Sequence, residues 1–182
     1  MSLIFPLSEL ENFAQTTYKL MHLLRYNIYP RIFPETVASH SYQVGILSLF
    51  LIEKYKKEYN IDELKILKLA LIHDIGEVNG IDLPHPIKEK YPELNTITRE
   101  SESEEIKNLL GEEYYKLFLE YNFAATVENA IVEIADVMSC LIYAQEEIKL
   151  GNTYFKRVEN ESKVRLDILN KELEVLLREV RK

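Results

Sequence analysis

The chain has 182 residues, of which 47% are hydrophobic, enough for one packed domain with at most a small helical extension. Its formal charge is −8, from 22 basic and 30 acidic residues, which is poorly suited to neutralising a nucleic-acid backbone. The single cysteine, Cys140, excludes an intrachain disulfide, and no apolar run approaches the roughly 20 residues that span a bilayer. We therefore expect a soluble, cytoplasmic protein that binds neither nucleic-acid polymers nor membranes.

The amino-terminal region is predicted to form a helix followed by a loop. The helix should begin at Ser8, where Glu11 three residues later completes a capping-box pattern. Pro30 and Pro34 bracket the loop, because proline lacks a backbone donor and restricts the residue before it.

The rest of the chain reads as further helices. Five glycines and six prolines are few, and this scarcity favours long helices over many short strands. Helical periodicity predicts segments at about 37–55, 62–73, 98–110, 112–121, 126–150 and, as a final amphipathic helix, 153–180. Residues 76–92 should be irregular. We predict an all-α bundle of about six to seven helices forming one domain over 1–182, with a core at about 8–150.

Four polar residues interrupt the apolar helix faces. His40 shares a face with apolar neighbours, His73 ends an apolar stripe and is followed by Asp74, and Asp136 lies in a helix that is apolar almost all round. A buried carboxylate needs a partner such as a cation. Two imidazoles and two carboxylates suit a divalent transition metal that keeps open positions for water and substrate.

Each of these residues also has an ordinary interpretation when it is taken singly. A histidine on an apolar face is more often hydrogen-bonded in the core than bound to a metal. Asp136 could belong to a solvent-facing polar strip with Glu133, Ser139 and Tyr143. The order His, His-Asp, Asp along the chain resembles that of the HD-domain superfamily of metal-dependent phosphohydrolases, and this resemblance favours the metal site over these readings.

Three segments carry a resemblance to a known family. They are ETVASHSYQV (35–44), HDIGEVNGIDLPHPIK (73–88) and ADVMSCLIYAQEEIKLGN (135–152). They resemble the YfbR-type 5′-deoxynucleotidases of the HD-domain superfamily of metal-dependent phosphohydrolases, over roughly residues 15 to 155. The resemblance implies an HD-domain helical bundle.

The same resemblance implies the metal. One divalent cation would be bound by His40, His73, Asp74 and Asp136. Family members are typically active with Co²⁺ or Mn²⁺, which we therefore expect here, and Fe²⁺ or Zn²⁺ also suits mixed nitrogen and oxygen ligands.

The resemblance further assigns roles to residues around the metal. Glu77, three residues after the His-Asp pair, would position or deprotonate the attacking water. Arg25, fifteen residues before the first metal histidine, would bind the phosphate, although it could instead interact with the dipole of a helix end. Asp82 would contact a sugar hydroxyl, and Lys88 could be a second phosphate contact.

Two positions depart from the family pattern. Tyr26 stands where the family usually has a tryptophan that rejects a ribose 2′-hydroxyl, which leaves the choice between deoxyribose and ribose open. Ser39 stands where an acidic residue often precedes the first metal histidine, and this could alter the outer contacts that tune the metal.

The predicted function is hydrolysis of (deoxy)ribonucleoside 5′-monophosphates to nucleoside and phosphate by metal-activated water, in a homodimer. One alternative is a phosphohydrolase acting on a cyclic nucleotide or a triphosphate. The single His-Asp pair argues against a two-metal phosphodiesterase, and the short chain argues against the larger triphosphohydrolases. The other alternative is a non-catalytic helical module with a structural metal, although such a module would need neither Glu77 nor Arg25.

Overall fold

The computed structural model describes residues 6–79, 87 and 90–182, without the side chain at 95. Within these residues lie seven α-helices and only two isolated β-bridges, which confirms the all-α prediction. The helices are α1 (Leu7–Tyr18), α2 (Val37–Tyr55), α3 (Glu63–Ile72), α4 (Pro92–Leu110), α5 (Glu112–Phe123), α6 (Val127–Lys149) and α7 (Lys156–Glu179). None of these helices is both long and apolar enough to cross a membrane.

Several helix ends agree with the sequence prediction. The predicted cap Asp62 accepts a hydrogen bond from the backbone N–H of Lys65 at 2.9 Å, at the start of α3. Helix α2 has the bounds expected from its apolar stripe. Gly151 follows α6 with a φ of +96°, the left-handed conformation that glycine adopts without strain.

Two predicted helix starts are wrong. Helix α1 begins at Leu7 after Pro6, and no side chain caps it, so the expected capping box of Ser8 and Glu11 does not form. Helix α4 begins at Pro92 rather than Thr98. The first helical position suits proline, whose fixed φ is already helical and whose missing N–H would have had no partner there.

Helix α6 lies at the centre of the main core. It packs against α2, α3 and α7, and its apolar residues are buried on most sides. Helix α7 buries one leucine stripe against this core, as its amphipathic pattern predicted; the stripe is Leu166, Leu169, Leu173 and Leu177. Each buried leucine contributes about 1.5–3 kcal/mol relative to an exposed one.

A second apolar cluster supports the short 3-10 helix Ile75–Asn79 that follows α3. Ile75 and Val78 point into this cluster, where they meet Ile106 of α4 and Phe118 of α5. Gly76 lies so close to α4 that a Cβ atom there would be 2.7 Å from the Cα and carbonyl oxygen of Glu102. The segment after the His-Asp pair is therefore held tightly against α4.

Candidate active site

The fold brings the four predicted metal residues together. Helix α2 carries His40, the end of α3 carries His73 and Asp74, and α6 carries Asp136. The Nε2 atoms of the two histidines are 3.4 Å apart. The Nε2 atom of His40 is 2.9 Å from Asp136 Oδ1 and 3.7 Å from Asp74 Oδ2, and the Nε2 atom of His73 is 3.3 Å from Asp74 Oδ2.

The outer nitrogens of both imidazoles have partners. The Nδ1 atom of His73 lies 2.9 Å from the carbonyl oxygen of Ala70, which can only accept, so Nδ1 carries the proton. The Nδ1 atom of His40 lies 3.1 Å from the hydroxyl of Ser139. Both Nε2 atoms therefore face the cluster, and the Nε2 atom of His73 would offer a lone pair to a cation on losing its proton. Ser139 is buried against a predicted metal-binding histidine, so it does not belong to the solvent-facing polar strip considered from the sequence.

The charges in the cluster compensate one another. Burial opposes ionisation of Asp74, but contact with His73 and Arg25 holds the pKa of its carboxyl well below its usual range. Burial likewise opposes the charge on His73, yet Asp74 and Asp136 raise its pKa to about 9. Burial and Arg25 lower the pKa of His40. Two half-buried carboxylates thus attract positive charge to this point, which a divalent cation would supply.

The residues present fit a divalent metal. His40, His73 and Asp74 offer ligand atoms that all lie within 4.8 Å of one another, and so do His40, Asp136 and Cys140. The first set has nitrogen and oxygen donors, which suit Mn²⁺, Co²⁺, Fe²⁺ and Zn²⁺.

Arg25 lies directly beside this cluster. Its Nη1 atom donates a hydrogen bond to Asp74 Oδ2 at 2.9 Å, and its Nη2 atom donates to Cys140 Sγ at 3.3 Å. Its Nε atom is 3.4 Å from Glu35 Oε2. Arg25 lies seven residues beyond Tyr18, where α1 ends, and it is ion-paired in the site. The alternative interpretation, an interaction with the dipole of that helix, is therefore wrong. A guanidinium group in this position is suited to binding a phosphate.

Sequence reasoning missed Cys140 and Glu35 as neighbours of Arg25. Cys140 lies one helical turn after Asp136, and this spacing was a usable signal. Burial raises the pKa of its thiol to about 12, so it contacts Arg25 as a neutral group. Glu35 lies within one of the three family-like segments, but its spacing to Arg25 crosses a loop without periodicity.

Tyr26 lies in an aromatic cluster next to Arg25. Its ring stacks on Tyr143 with centroids 5.1 Å apart and planes 7° apart, and it meets Phe155 edge-on at 5.2 Å. Burial holds the pKa of its hydroxyl well above the usual range, and the neighbouring Cys140 raises it further. The φ of Tyr26 is +53°, an uncommon conformation for a bulky residue. Packing thus holds the ring beside the phosphate-binding candidate.

The loop between Tyr26 and α2 is fastened to α6 by Glu147. This buried carboxylate accepts hydrogen bonds from the backbone N–H groups of Ile32 at 2.9 Å and Phe33 at 2.6 Å. Tyr143 donates a hydrogen bond from its hydroxyl to the carbonyl oxygen of Phe33 at 2.6 Å. One helix therefore fixes both the metal-binding candidate Asp136 and the loop that carries Arg25.

Of the remaining predicted residues, the structure describes Glu77 and Ser39. Glu77 is 7% exposed in the 3-10 helix, and its backbone N–H bonds to the carbonyl oxygen of Asp74 at 3.1 Å. Asp82 and Lys88 lie outside the described residues. Ser39 forms a capping box with Thr36 at the start of α2, so its side chain stabilises the helix end instead of contacting the imidazoles.

Two histidines and two aspartates beside a half-buried arginine, on a helical scaffold, define a candidate metal site for a phosphorylated ligand. Residues 12–180 match the sequence model of the YfbR-like 5′-deoxynucleotidases. The chain is 30% identical over 172 residues to a 5′-deoxynucleotidase of Vibrio cholerae, covering 87% of each chain. It is 29% identical over 146 residues to one from Pectobacterium atrosepticum, covering 75% of this chain and 73% of that protein.

Solved structures show the same fold. A conserved hypothetical protein from Pyrococcus furiosus superposes with a TM-score of 0.78 at 34% identity, over 93% of this chain and 97% of that one. An HD-domain phosphohydrolase from Listeria innocua superposes with a TM-score of 0.75 at 23% identity, over 93% and 86%. The chain belongs to the YfbR-like 5′-deoxynucleotidase family, and it is an enzyme of the hydrolase class.

Proposed function

We propose that the protein is a metal-dependent phosphomonoesterase that converts (deoxy)ribonucleoside 5′-monophosphates to nucleoside and phosphate. The observation that carries the proposal is the position of Arg25, within hydrogen-bond distance of Asp74 in the cluster of two histidines and two aspartates. A cation site next to a guanidinium group is the arrangement that binding and polarising a phosphate monoester requires.

The metal and the chain would divide the chemistry. A divalent cation bound by His40, His73, Asp74 and Asp136, for which Co²⁺ and Mn²⁺ are our first candidates, would acidify a water molecule and polarise the phosphoryl oxygens. Glu77 orients this water and accepts its proton. The water oxygen bonds to phosphorus as the bond from phosphorus to the 5′ oxygen breaks, and the nucleoside oxygen takes a proton from solvent.

Other residues would bind the substrate. Arg25 neutralises charge on the non-bridging oxygens, with Lys88 as a second phosphate contact. Tyr26 borders the sugar, and Asp82 contacts a sugar hydroxyl. Tyrosine is smaller than the family's usual tryptophan, so the test must compare deoxyribose and ribose substrates directly.

The test uses purified protein stripped of metal and reloaded separately with Co²⁺, Mn²⁺, Fe²⁺ or Zn²⁺. Phosphate release is measured from deoxyribonucleoside and ribonucleoside 5′-monophosphates, a cyclic nucleotide and a nucleoside triphosphate. We expect about one metal per chain by elemental analysis, and turnover of the 5′-monophosphates that depends on it. Turnover of only the cyclic nucleotide or the triphosphate would contradict the proposed substrate. Metal binding with no turnover of any nucleotide would favour a structural metal.

We further propose that the chain forms a homodimer through α2. Four large apolar residues share one exposed face of this helix; they are Tyr42, Ile46, Leu49 and Phe50. A contiguous exposed apolar face of this kind is typical of protein interfaces. Sedimentation velocity should show a dimer for the wild type and a monomer for Ile46→Glu. The control variant Val175→Glu, on the exposed face of α7, should remain dimeric. A monomeric wild type would exclude the dimer.

A further inference from the structure

Glu35 is a half-buried carboxylate that belongs to the site without being one of its predicted residues. Its side chain is 12% exposed, and its Oε2 atom lies 3.4 Å from the Nε atom of Arg25. Neither of these two atoms has a hydrogen-bond partner among the described residues, so this ion pair is the polar contact that each one makes. We propose that Glu35 is a positioning residue that holds the Arg25 guanidinium in the orientation that binds phosphate, an inference that rests on the proposed function.

The backbone brings these two residues into register. The N–H of Arg25 donates a hydrogen bond to the carbonyl oxygen of Glu35 at 3.0 Å, beside an isolated bridge between Leu24 and Thr36. Thr36 caps α2, which carries His40 four residues further on. Glu35 therefore connects the arginine to the rigid start of the helix that carries a predicted metal ligand.

The three contacts of the guanidinium differ in what would happen to them in a loaded site. Asp74 is a predicted metal ligand, so a bound cation would compete with Arg25 for its carboxylate. Cys140 is a neutral thiol and a weak acceptor. Glu35 is then the one carboxylate among the three contacts that is free of metal, and its position at Nε leaves the Nη1 and Nη2 edge facing the cluster.

The surroundings of Glu35 also indicate a role beyond folding. The pKa of its carboxyl is raised to about 7 in total: burial raises it most, Asp136 and Asp74 also raise it, and Arg25 lowers it. A carboxylate placed near two others is electrostatically costly. The pairing with Arg25 gives the carboxylate a function that offsets this electrostatic cost. A guanidinium group held in the correct orientation binds phosphate through two parallel hydrogen bonds.

The test compares metal-loaded wild type with Glu35→Gln, Glu35→Asp and Arg25→Ala, and with the double variant Arg25→Ala/Glu35→Gln. We expect Glu35→Gln to raise both the KM for the nucleotide and the inhibition constant of inorganic phosphate by about tenfold or more, as for loss of a charge-assisted contact. Its metal dissociation constant, from titration of the stripped protein, should remain that of the wild type. Glu35→Asp should recover part of the loss because it keeps the charge.

The double variant separates positioning from a general structural effect. If Glu35 acts through Arg25, adding Glu35→Gln to Arg25→Ala should cause little further loss; a full additional tenfold loss would overturn the inference. Glu161→Gln is the matched control, because Glu161 makes a similar contact with the Nε atom of Arg157 at 2.5 Å on the exposed face of α7.

The outcomes distinguish the two proposals. An inactive wild type overturns the proposed function, whereas an active wild type with unchanged KM and phosphate inhibition in Glu35→Gln overturns only the role of Glu35. A change in metal affinity together with KM would also overturn it, because the residue would then act on the metal cluster rather than on the arginine.

Discussion

Asp74 lies between the arginine and both histidines of the site. It is within 4 Å of three positively charged or protonatable groups, those of Arg25, His40 and His73. Its side chain is only 18% exposed, and a carboxylate with so little contact with water needs compensating charge. A cation at this point would replace these contacts, leaving Arg25 available for an anionic substrate. The proposed metal-binding and phosphate-binding groups therefore meet at one side chain.

Replacing Glu77 should separate metal binding from chemistry. In Glu77→Ala we expect kcat to fall by about 10²–10⁴, because the attacking water loses the group that orients it and accepts its proton. Metal content by elemental analysis should stay near that of the wild type, since Glu77 is not among the predicted ligands. Turnover at the wild-type rate would remove Glu77 from the mechanism.

Glu35 should make the metal-free protein less stable as the pH rises. The pKa of its carboxyl is raised from 4.5 to about 7 by burial, so the folded state binds this proton more tightly than the unfolded state does. The corresponding stability is fully present below about pH 4 and is lost as the pH rises to about 7. The substitution Glu35→Gln cannot titrate, so its free energy of unfolding should gain about 2–3 kcal/mol on the wild type across this window.

Denaturant unfolding at pH 5 and pH 8 in the presence of a chelator measures this effect. The exposed substitution Glu161→Gln serves as the control and should follow the wild type. Parallel pH curves for the wild type and Glu35→Gln would show that Glu35 does not hold its proton in the folded state. A gain in stability combined with a loss of phosphate binding would show a residue kept for function at the expense of stability.

At the scale of the secondary-structure elements, Gly76 determines how closely α4 approaches the site. In Gly76→Ala the new methyl group would lie 2.7 Å from backbone atoms of Glu102, so the 3-10 helix or α4 must shift. We expect unfolding free energy to fall by about 1–3 kcal/mol. Metal occupancy should fall as well, because the predicted ligand Asp74 lies two residues before the displaced glycine.

Gly45 in α2 provides a matched control for this prediction. The nearest atom to a Cβ at Gly45 is a side-chain carbon of Leu71 at 4.0 Å, an ordinary contact. Gly45→Ala should therefore be neutral or should stabilise α2 by up to about 1 kcal/mol, because alanine has the higher helix propensity. Thermal unfolding of both variants, with elemental analysis of each, tests the pair. Equal stabilities for the two variants would show that α4 moves aside freely.

The helices could be predicted from sequence where one local signal set each boundary. Asp62 caps α3, and Gly151 follows α6, because both depend on a single residue and its immediate neighbours. The predicted starts of α1 and α4 were wrong because two local signals competed in each case. Near α1, Pro6 competed with the capping-box pattern at Ser8, and near α4, Pro92 competed with Thr98.

The site was only partly predictable for a related reason. His40 and Asp136 lie on helices and the pair His73-Asp74 directly follows one, so these polar residues stood out from apolar helix patterns, and the family-like segments then assigned Arg25. The partners of Arg25 depend on the path of a loop, which leaves no periodic pattern. The contact of its Nη2 atom with Cys140 joins residues 115 positions apart.

At the scale of the whole molecule, α7 completes the core rather than the site. Leu169 is fully buried against the main core, whereas the neighbouring Ile168 is 42% exposed. Leu169→Ala should lower the free energy of unfolding by about 2–5 kcal/mol, because it leaves a cavity. Ile168→Ala should cost much less. Urea denaturation of both variants is the measurement, and equal losses would mean that α7 does not pack as described.

The arrangement of α6 has a consequence for the dimensions of the site. Asp136, Cys140, Tyr143 and Glu147 follow one another at intervals of four, three and four residues, so a single helix face runs from the metal cluster to the loop anchor. Eleven residues of α-helix span about 16 Å, and inserting one residue turns everything beyond it by about 100°. This stretch therefore fixes the distance and the angle between Asp136 and Glu147: its composition can change, but a single insertion or deletion would turn the loop anchor away from the face that carries Asp136.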